Sequence, residues 1–135
     1  MNNMLEHLLV FLVSLSSGNY CKSSVFGYSG DPLKGGTNVC TKKHMGNDEL
    51  GVASRTLACG TQVFLFHPRT GRSVIAAVVD RGPYGATDEE GNWFIKKKRS
   101  EPGQWRGCLD ISRAVQKALG HNGFEKIYYA PLAQR

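Results

Sequence analysis

Two apolar runs in tandem, the second cut off by a charged turn, most constrain how this chain can fold. Gln62-Val63-Phe64-Leu65-Phe66 gives way to the polar stretch His67-Pro68-Arg69-Thr70-Gly71, and Arg72-Ser73-Val74-Ile75-Ala76-Ala77-Val78-Val79 follows. Both runs are rich in β-branched and aromatic residues and are bounded by turn formers, so they read as strands. A connection of about five residues makes the pair a β-hairpin. Asp80 closes the second strand, and Arg81-Gly82-Pro83-Tyr84-Gly85 forces the chain to turn.

One segment has helical periodicity. Ala114, Val115, Ala118 and Leu119 recur at the three- and four-residue spacing of a buried helical face. Either Asp110 or Ser112 is placed to cap its first turn, and Gly120 or Gly123 to end it. Phe124 to Tyr129 supplies a last strand, with Pro131 marking its end. With 135 residues, 41% of them hydrophobic, there is room for one domain. The 16 glycines favour a fold with many turns, such as a small β-barrel, over a helical bundle. Most of its strand pairing is then non-local.

The rest is less regular. Residues 17 to 50 read as loops with short strands, Val25 to Tyr28 being a candidate, and Asp31-Pro32 and Gly35-Gly36 are turn signals. Residues 86 to 107 are polar and charged. Within them Trp93-Phe94-Ile95 reads as a strand of a protruding hairpin, and Lys96-Lys97-Lys98-Arg99, before the turn at Glu101-Pro102-Gly103, as either a holder of anionic polymer or an ordinary solvated loop. The apolar run from Leu8 to Leu15 is too short for a stable transmembrane span. Its length fits a signal-peptide core, yet no Lys or Arg precedes it, so a terminal packing helix stays open.

The four cysteines, Cys21, Cys40, Cys59 and Cys108, show no C-x-x-C spacing, which argues against a zinc or iron–sulfur centre. They allow three disulfide pairings if the chain is exported, and the sequence does not choose among them. No residue pattern calls for a metal or another cofactor. A formal net charge of +6 attracts anionic partners. Without zinc-finger spacing, a basic amphipathic helix or a repeated aromatic-basic pattern, nucleic acid is not the expected partner. There is no Gly-rich nucleotide loop and no nucleophile elbow, and Ser54 has no evident base.

Three blocks, in order, resemble rare lipoprotein A-like domains. They are Gly51-Val52-Ala53-Ser54-Arg55-Thr56-Leu57-Ala58-Cys59-Gly60-Thr61-Gln62-Val63, then Thr70 to Val74 with Val79-Asp80-Arg81-Gly82-Pro83-Tyr84, then Leu109-Asp110-Ile111-Ser112-Arg113-Ala114. The resemblance spans most of Gly51 to Tyr129. It implies a mainly β fold, a six-stranded double-psi β-barrel with one or two short helices, shared with expansins and some lytic transglycosylases. Residues 21–133 would be this single domain, with an inserted lobe at about 85–107 and an apolar amino-terminal segment at 1–20.

The implied function is cleavage of peptidoglycan glycan strands without water, leaving a 1,6-anhydro end. Asp110 matches the acid required in related domains, and Asp80 matches the aspartate of the Asp-Arg-Gly-Pro turn beside the same groove. One carboxyl group can serve as acid and then base, because the sugar's own 6-hydroxyl attacks. The alternative for Asp110 is a helix cap, and for Asp80 a turn held by a salt bridge to Arg81. Arg81, Tyr84, Ser54, Trp93, Trp105 and Lys97 are candidate substrate contacts, and Gly60, Gly82 and Pro83 are structural. This chain has Ser54 where the family usually has His, which speaks for a noncatalytic, expansin-like wall-binding module. A third reading is a structural component of an envelope or virion assembly. The expected partner is peptidoglycan or another cell-wall polysaccharide, and the location secreted, periplasmic, envelope- or virion-associated.

Overall fold

The computed structural model describes residues 18–27 and 37–133, and its barrel is built largely from residues distant in sequence. The strands are β1 (Asn19–Val25), β2 (Gly51–Ala53), β3 (Gln62–His67), β4 (Arg72–Asp80), β5 (Gly85–Thr87), β6 (Trp93–Ile95), β7 (Gln104–Trp105), β8 (Leu109–Ile111) and β9 (Phe124–Pro131). One short helix, α1 (Arg113–Leu119), lies between β8 and β9. The chain is mainly β: a closed six-stranded barrel in the order β1-β8-β2-β4-β3-β9, with a single short helix among the described residues. That is the fold class the sequence implied. The parallel pairs β1–β8 and β2–β4 join strands far apart in the chain, and the β3–β4 hairpin is antiparallel.

Inward-facing residues follow the two-residue alternation of strands. Val63 and Leu65 of β3, Ala76 and Val78 of β4, Leu109 and Ile111 of β8, and Ile127 of β9 fill the barrel, and Val115 and Leu119 of α1 join them. Residues 85–105 contribute a separate three-stranded sheet, β6-β5-β7.

Several boundaries differ from the sequence reading. The first strand is Asn19–Val25, so the barrel takes in Asn19 and Tyr20. Val25 is its last residue, and Tyr28 lies outside the described residues. So do the apolar run at 8–15 and the turn signals at 31–36. Asp110 does not cap the helix, because it is the middle residue of β8. Ser112 is the cap: its hydroxyl accepts from Val115 N–H, and left-handed Gly120 (φ 66°) ends the helix. The basic run is not uniformly solvated either. Lys96 is only 6% exposed, and Lys97 to Arg99 stand in solvent.

The disulfides are Cys21–Cys108 and Cys40–Cys59. Together they fit an oxidising environment. No helix among the described residues is long and apolar enough to cross a membrane. A polar network sits where β1, β3 and β9 meet. Glu125 accepts from His67 Nε2 at 2.6 Å and from Arg69 Nε at 2.7 Å. Buried His121 lies 2.9 Å from the Ser23 hydroxyl and accepts from Gly123 N–H at 3.0 Å.

Two outcomes are expected. Loop-closure entropy grows with the length of chain enclosed, and the bridges span sequence separations of 87 and 19 residues. The pair Cys21→Ser/Cys108→Ser should therefore lose more stability in urea unfolding than Cys40→Ser/Cys59→Ser, the larger loss being about 4 kcal/mol. The Arg69 hydrogen bond holds Glu125 down to about 2 from an ordinary 4.5, and burial holds His121 below its ordinary 6.5. Both groups bind protons more tightly when unfolded, so the stability they contribute is complete above about pH 6.5. It is lost as pH falls, through His121 first and then through Glu125 between about 4.5 and 2. Thermal melts of Glu125→Gln should show a flatter acid limb than wild type.

Candidate functional site

The central element is three residues long. β2 is fully buried and pairs with β8 on one side and β4 on the other. Ala53 stands opposite Asp110 across the antiparallel ladder and opposite Asp80 across the parallel one. Two strand spacings of about 4.8 Å separate the backbones of the two aspartates by about 10 Å. The same register brings together the three sequence blocks that carried the resemblance.

Asp110 lies between core residues Leu109 and Ile111 and so projects from the outer face of the barrel, half-buried. Ser24, its register partner on β1, donates its hydroxyl to Asp110 Oδ1. Oδ2 lies beside Gly82, where any Cβ would come within 3.0 Å of it. Gly82 has φ of 146° and precedes the cis bond to Pro83. A side chain there meets both a backbone conformation that L residues rarely adopt and the carboxylate. The glycine therefore permits the turn to approach Asp110.

Arg55 is the residue that sequence reasoning missed. Its guanidinium donates to Pro83 O at 2.5 Å and Gly107 O at 3.0 Å, and stacks over the Trp105 ring with 4.1 Å to the centroid. Burial pulls the guanidinium below its ordinary value, and the negative charge of Asp110 is the largest effect opposing that. Lys96 covers the Trp105 ring at 4.2 Å and donates to Gly103 O. Tyr84 tilts against the same ring at 6.5 Å. Arg99 donates to Arg55 O at 2.7 Å. The only advance signal was position: Arg55 stands next to Ser54 in the first recognised block.

The other candidates are placed as follows. Asp80 Oδ1 accepts from Val39 N–H at 2.8 Å, which anchors the turn leading to Cys40. No ion pair joins Asp80 to Arg81; Arg81 donates instead to the carbonyls of Ser54 and Leu57. Ser54 is 2% exposed, and its hydroxyl accepts from Thr56 and Leu57 N–H. It shapes the loop that carries Arg55 and does not face the groove. Gly60 turns with φ of 83° and donates to Val78 O. Trp93 is 49% exposed in the small sheet, and its indole packs over Gly85. Lys97 is exposed, and its backbone N–H is held by Glu101. The structure thus gathers Asp110, Gly82, Pro83, Tyr84 and Trp105 around Arg55, and leaves Trp93 and Lys97 outside that group.

No three His, Cys, Asp or Glu side chains among the described residues are grouped to hold a metal ion. A cleft of about 290 Å³ opens beside Ser24, lined also by Arg106, Arg113 and Phe124.

Arg55→Ala should release residues 85–107 from the barrel, because Pro83 O and Gly107 O lose their donor and Trp105 the one of its two cations that comes from the barrel side. Limited proteolysis should cut that segment faster while the barrel's circular dichroism persists. The cost expected is about 1–3 kcal/mol. Arg55→Lys should not restore protection, since an ammonium lacks the planar fork that reaches two carbonyls and stacks at once.

No protein-family model matches this chain, and no curated protein matches it in sequence, so its function is argued from this geometry.

Proposed function

We propose that the chain cleaves glycan strands of peptidoglycan by the lytic transglycosylase reaction, with Asp110 as acid and base. The observation that carries this reading is Asp110 on the outer barrel face, beside Gly82 and Arg55 and bonded to Ser24, which lines an adjacent cleft. Protonated Asp110 gives its proton to the glycosidic oxygen as the bond from the sugar C1 to that oxygen breaks. The 6-hydroxyl of the same sugar then attacks C1, and its proton returns to Asp110. One bond breaks, one forms, and no water is consumed.

The charge of Arg55, which interacts with that of Asp110, offsets the carboxylate left when the proton has gone, and that carboxylate stabilises positive charge developing at C1. A glycan lying over the groove removes water from Asp110, and desolvation favours the protonated acid. Asp80 serves in this reading by holding the 38–40 segment at the groove's edge. Arg81 fixes the loop from Ser54 to Leu57, and Tyr84 and Trp105 support Arg55.

One observation favours a second reading. Buried Ser54 offers no proton-transferring group at the position where the family has His. A noncatalytic wall-binding module needs the groove and no acid. Incubation with intact and peptide-stripped peptidoglycan, followed by mass analysis of soluble sugars, separates the two. Anhydro-ended fragments are expected from wild type, with a loss of at least about 100-fold in Asp110→Asn. Cosedimentation without fragments would establish the binding module instead.

A further inference from the structure

The outer face of β1 and β9 forms a strip that ends at Asp110. Tyr20 pairs in register with Tyr128, Lys22 with Lys126, and Ser24 with Phe124. Strand alternation puts all six on the outside of the barrel, because Ser23 and Ile127 between them are buried. From Tyr20 to Ser24 the strip runs about 13 Å, and the Ser24 hydroxyl is bonded to Asp110.

Its chemistry alternates. Tyr20 and Tyr128 stack with centroids 4.3 Å apart, and Tyr20 is 49% exposed. Lys126 lies over Tyr20 at 5.5 Å. Phe124 carries two cations, Arg106 at 4.6 Å and Lys22 at 5.1 Å. Like charges directly opposite across a ladder destabilise a sheet, and Lys22 and Lys126 are such a pair. The acidic residue next to Lys126, Glu125, is already taken by Arg69 and His67. Two clefts, of about 380 and 290 Å³, follow the strip and meet at Phe124. Arg113 lines the second.

We infer that this strip is a binding track for an anionic glycan strand, delivering it to Asp110. The inference deepens the proposed function and rests on its glycan substrate. Tyr20, stacked on Tyr128 and 49% exposed, offers apolar ring surface to a sugar face. Lys22, Lys126, Arg106 and Arg113 pair with carboxylates on the strand's substituents, which relieves the repulsion between the two lysines. Aromatic rings among cations also suit single-stranded nucleic acid. An oligonucleotide carries a phosphate at every residue and so must set one against Asp110 at the track's end. A glycan can present there a sugar hydroxyl that donates to it, and keep its carboxylates along the cationic part.

The test titrates wild type with three soluble probes: peptide-bearing glycan strands, the same strands stripped of peptide, and a single-stranded oligodeoxynucleotide. The peptide-bearing strands should bind tightest, with an affinity that falls as salt rises. Lys22→Gln/Lys126→Gln should weaken that binding about tenfold and leave the stripped strands nearly unaffected, a change of about 1.4 kcal/mol. Tyr20→Ala should weaken both glycans, and Tyr20→Phe, which keeps the ring, should bind as wild type. Circular dichroism verifies that each variant is folded. The inference is overturned if folded track variants bind both glycans as wild type does, if wild type binds neither glycan, or if the oligonucleotide binds as tightly as peptide-bearing strands. Wild type that uses the track yet releases no anhydro-ended fragments overturns the proposed catalysis alone. Cleavage that persists with unaltered affinity in the track variants overturns the track alone.

Discussion

Closure of the barrel depends on three buried residues. Gly51, Val52 and Ala53 have a ladder on each side, parallel to β4 and antiparallel to β8. Without them the β3–β4 hairpin and β8 would each present an unpaired edge, and buried backbone groups would lack partners. Space there is tight. A Cβ on Gly51 would come within 2.8 Å of Val79 Cγ2 and Met45 Cε. The close fit explains a glycine at the start of a strand, where it otherwise weakens packing.

Helix placement follows from the same element. The buried Ser112 hydroxyl accepts from Gly51 N–H and donates to Glu49 O, while Ser112 N–H donates to Gly51 O. One residue therefore caps α1 and ties it to β2. That anchor leaves Leu109–Ile111 to pair as a strand between β1 and β2. Asp110 consequently projects from a rigid sheet instead of capping a helix. A carboxylate held by a ladder is positioned better than one on a loop.

Electrostatics are divided between the two ends of the candidate groove. On one side Arg55 and Lys96 both lie over Trp105; Arg55 ties the small sheet to the barrel, and Lys96 braces that sheet from within. On the other, Lys22 and Arg106 stand over half-buried Phe124 and Lys126 over exposed Tyr20, on the outer face. The net charge of +6 is thus partly internal scaffolding and partly accessible surface. Asp110 lies between the two sets.

The sequence by itself determined the elements whose signals are local. β-branched and aromatic runs between turn residues located β3, β4 and β6, though the turn between β3 and β4 is four residues, 68–71, because His67 belongs to β3. Periodicity located α1, and the Asp-Arg-Gly-Pro sequence located the turn that packs against Asp110. Tertiary structure decided the rest. Strands of two or three residues such as β2, β7 and β8 are too short for any period to appear, and only their partners make them strands. The cysteine pairing was undetermined for the same reason, since proximity depends on the closed barrel. Lys96 and Lys97 are adjacent and chemically identical, yet one is buried over Trp105 and the other solvated. Arg55 became the centre of the site only when residues 83 and 107 were folded onto it. The aspartates divided likewise: the ladder sets Asp110 on the outer barrel face opposite Ala53, and the turn at Val39 claims Asp80.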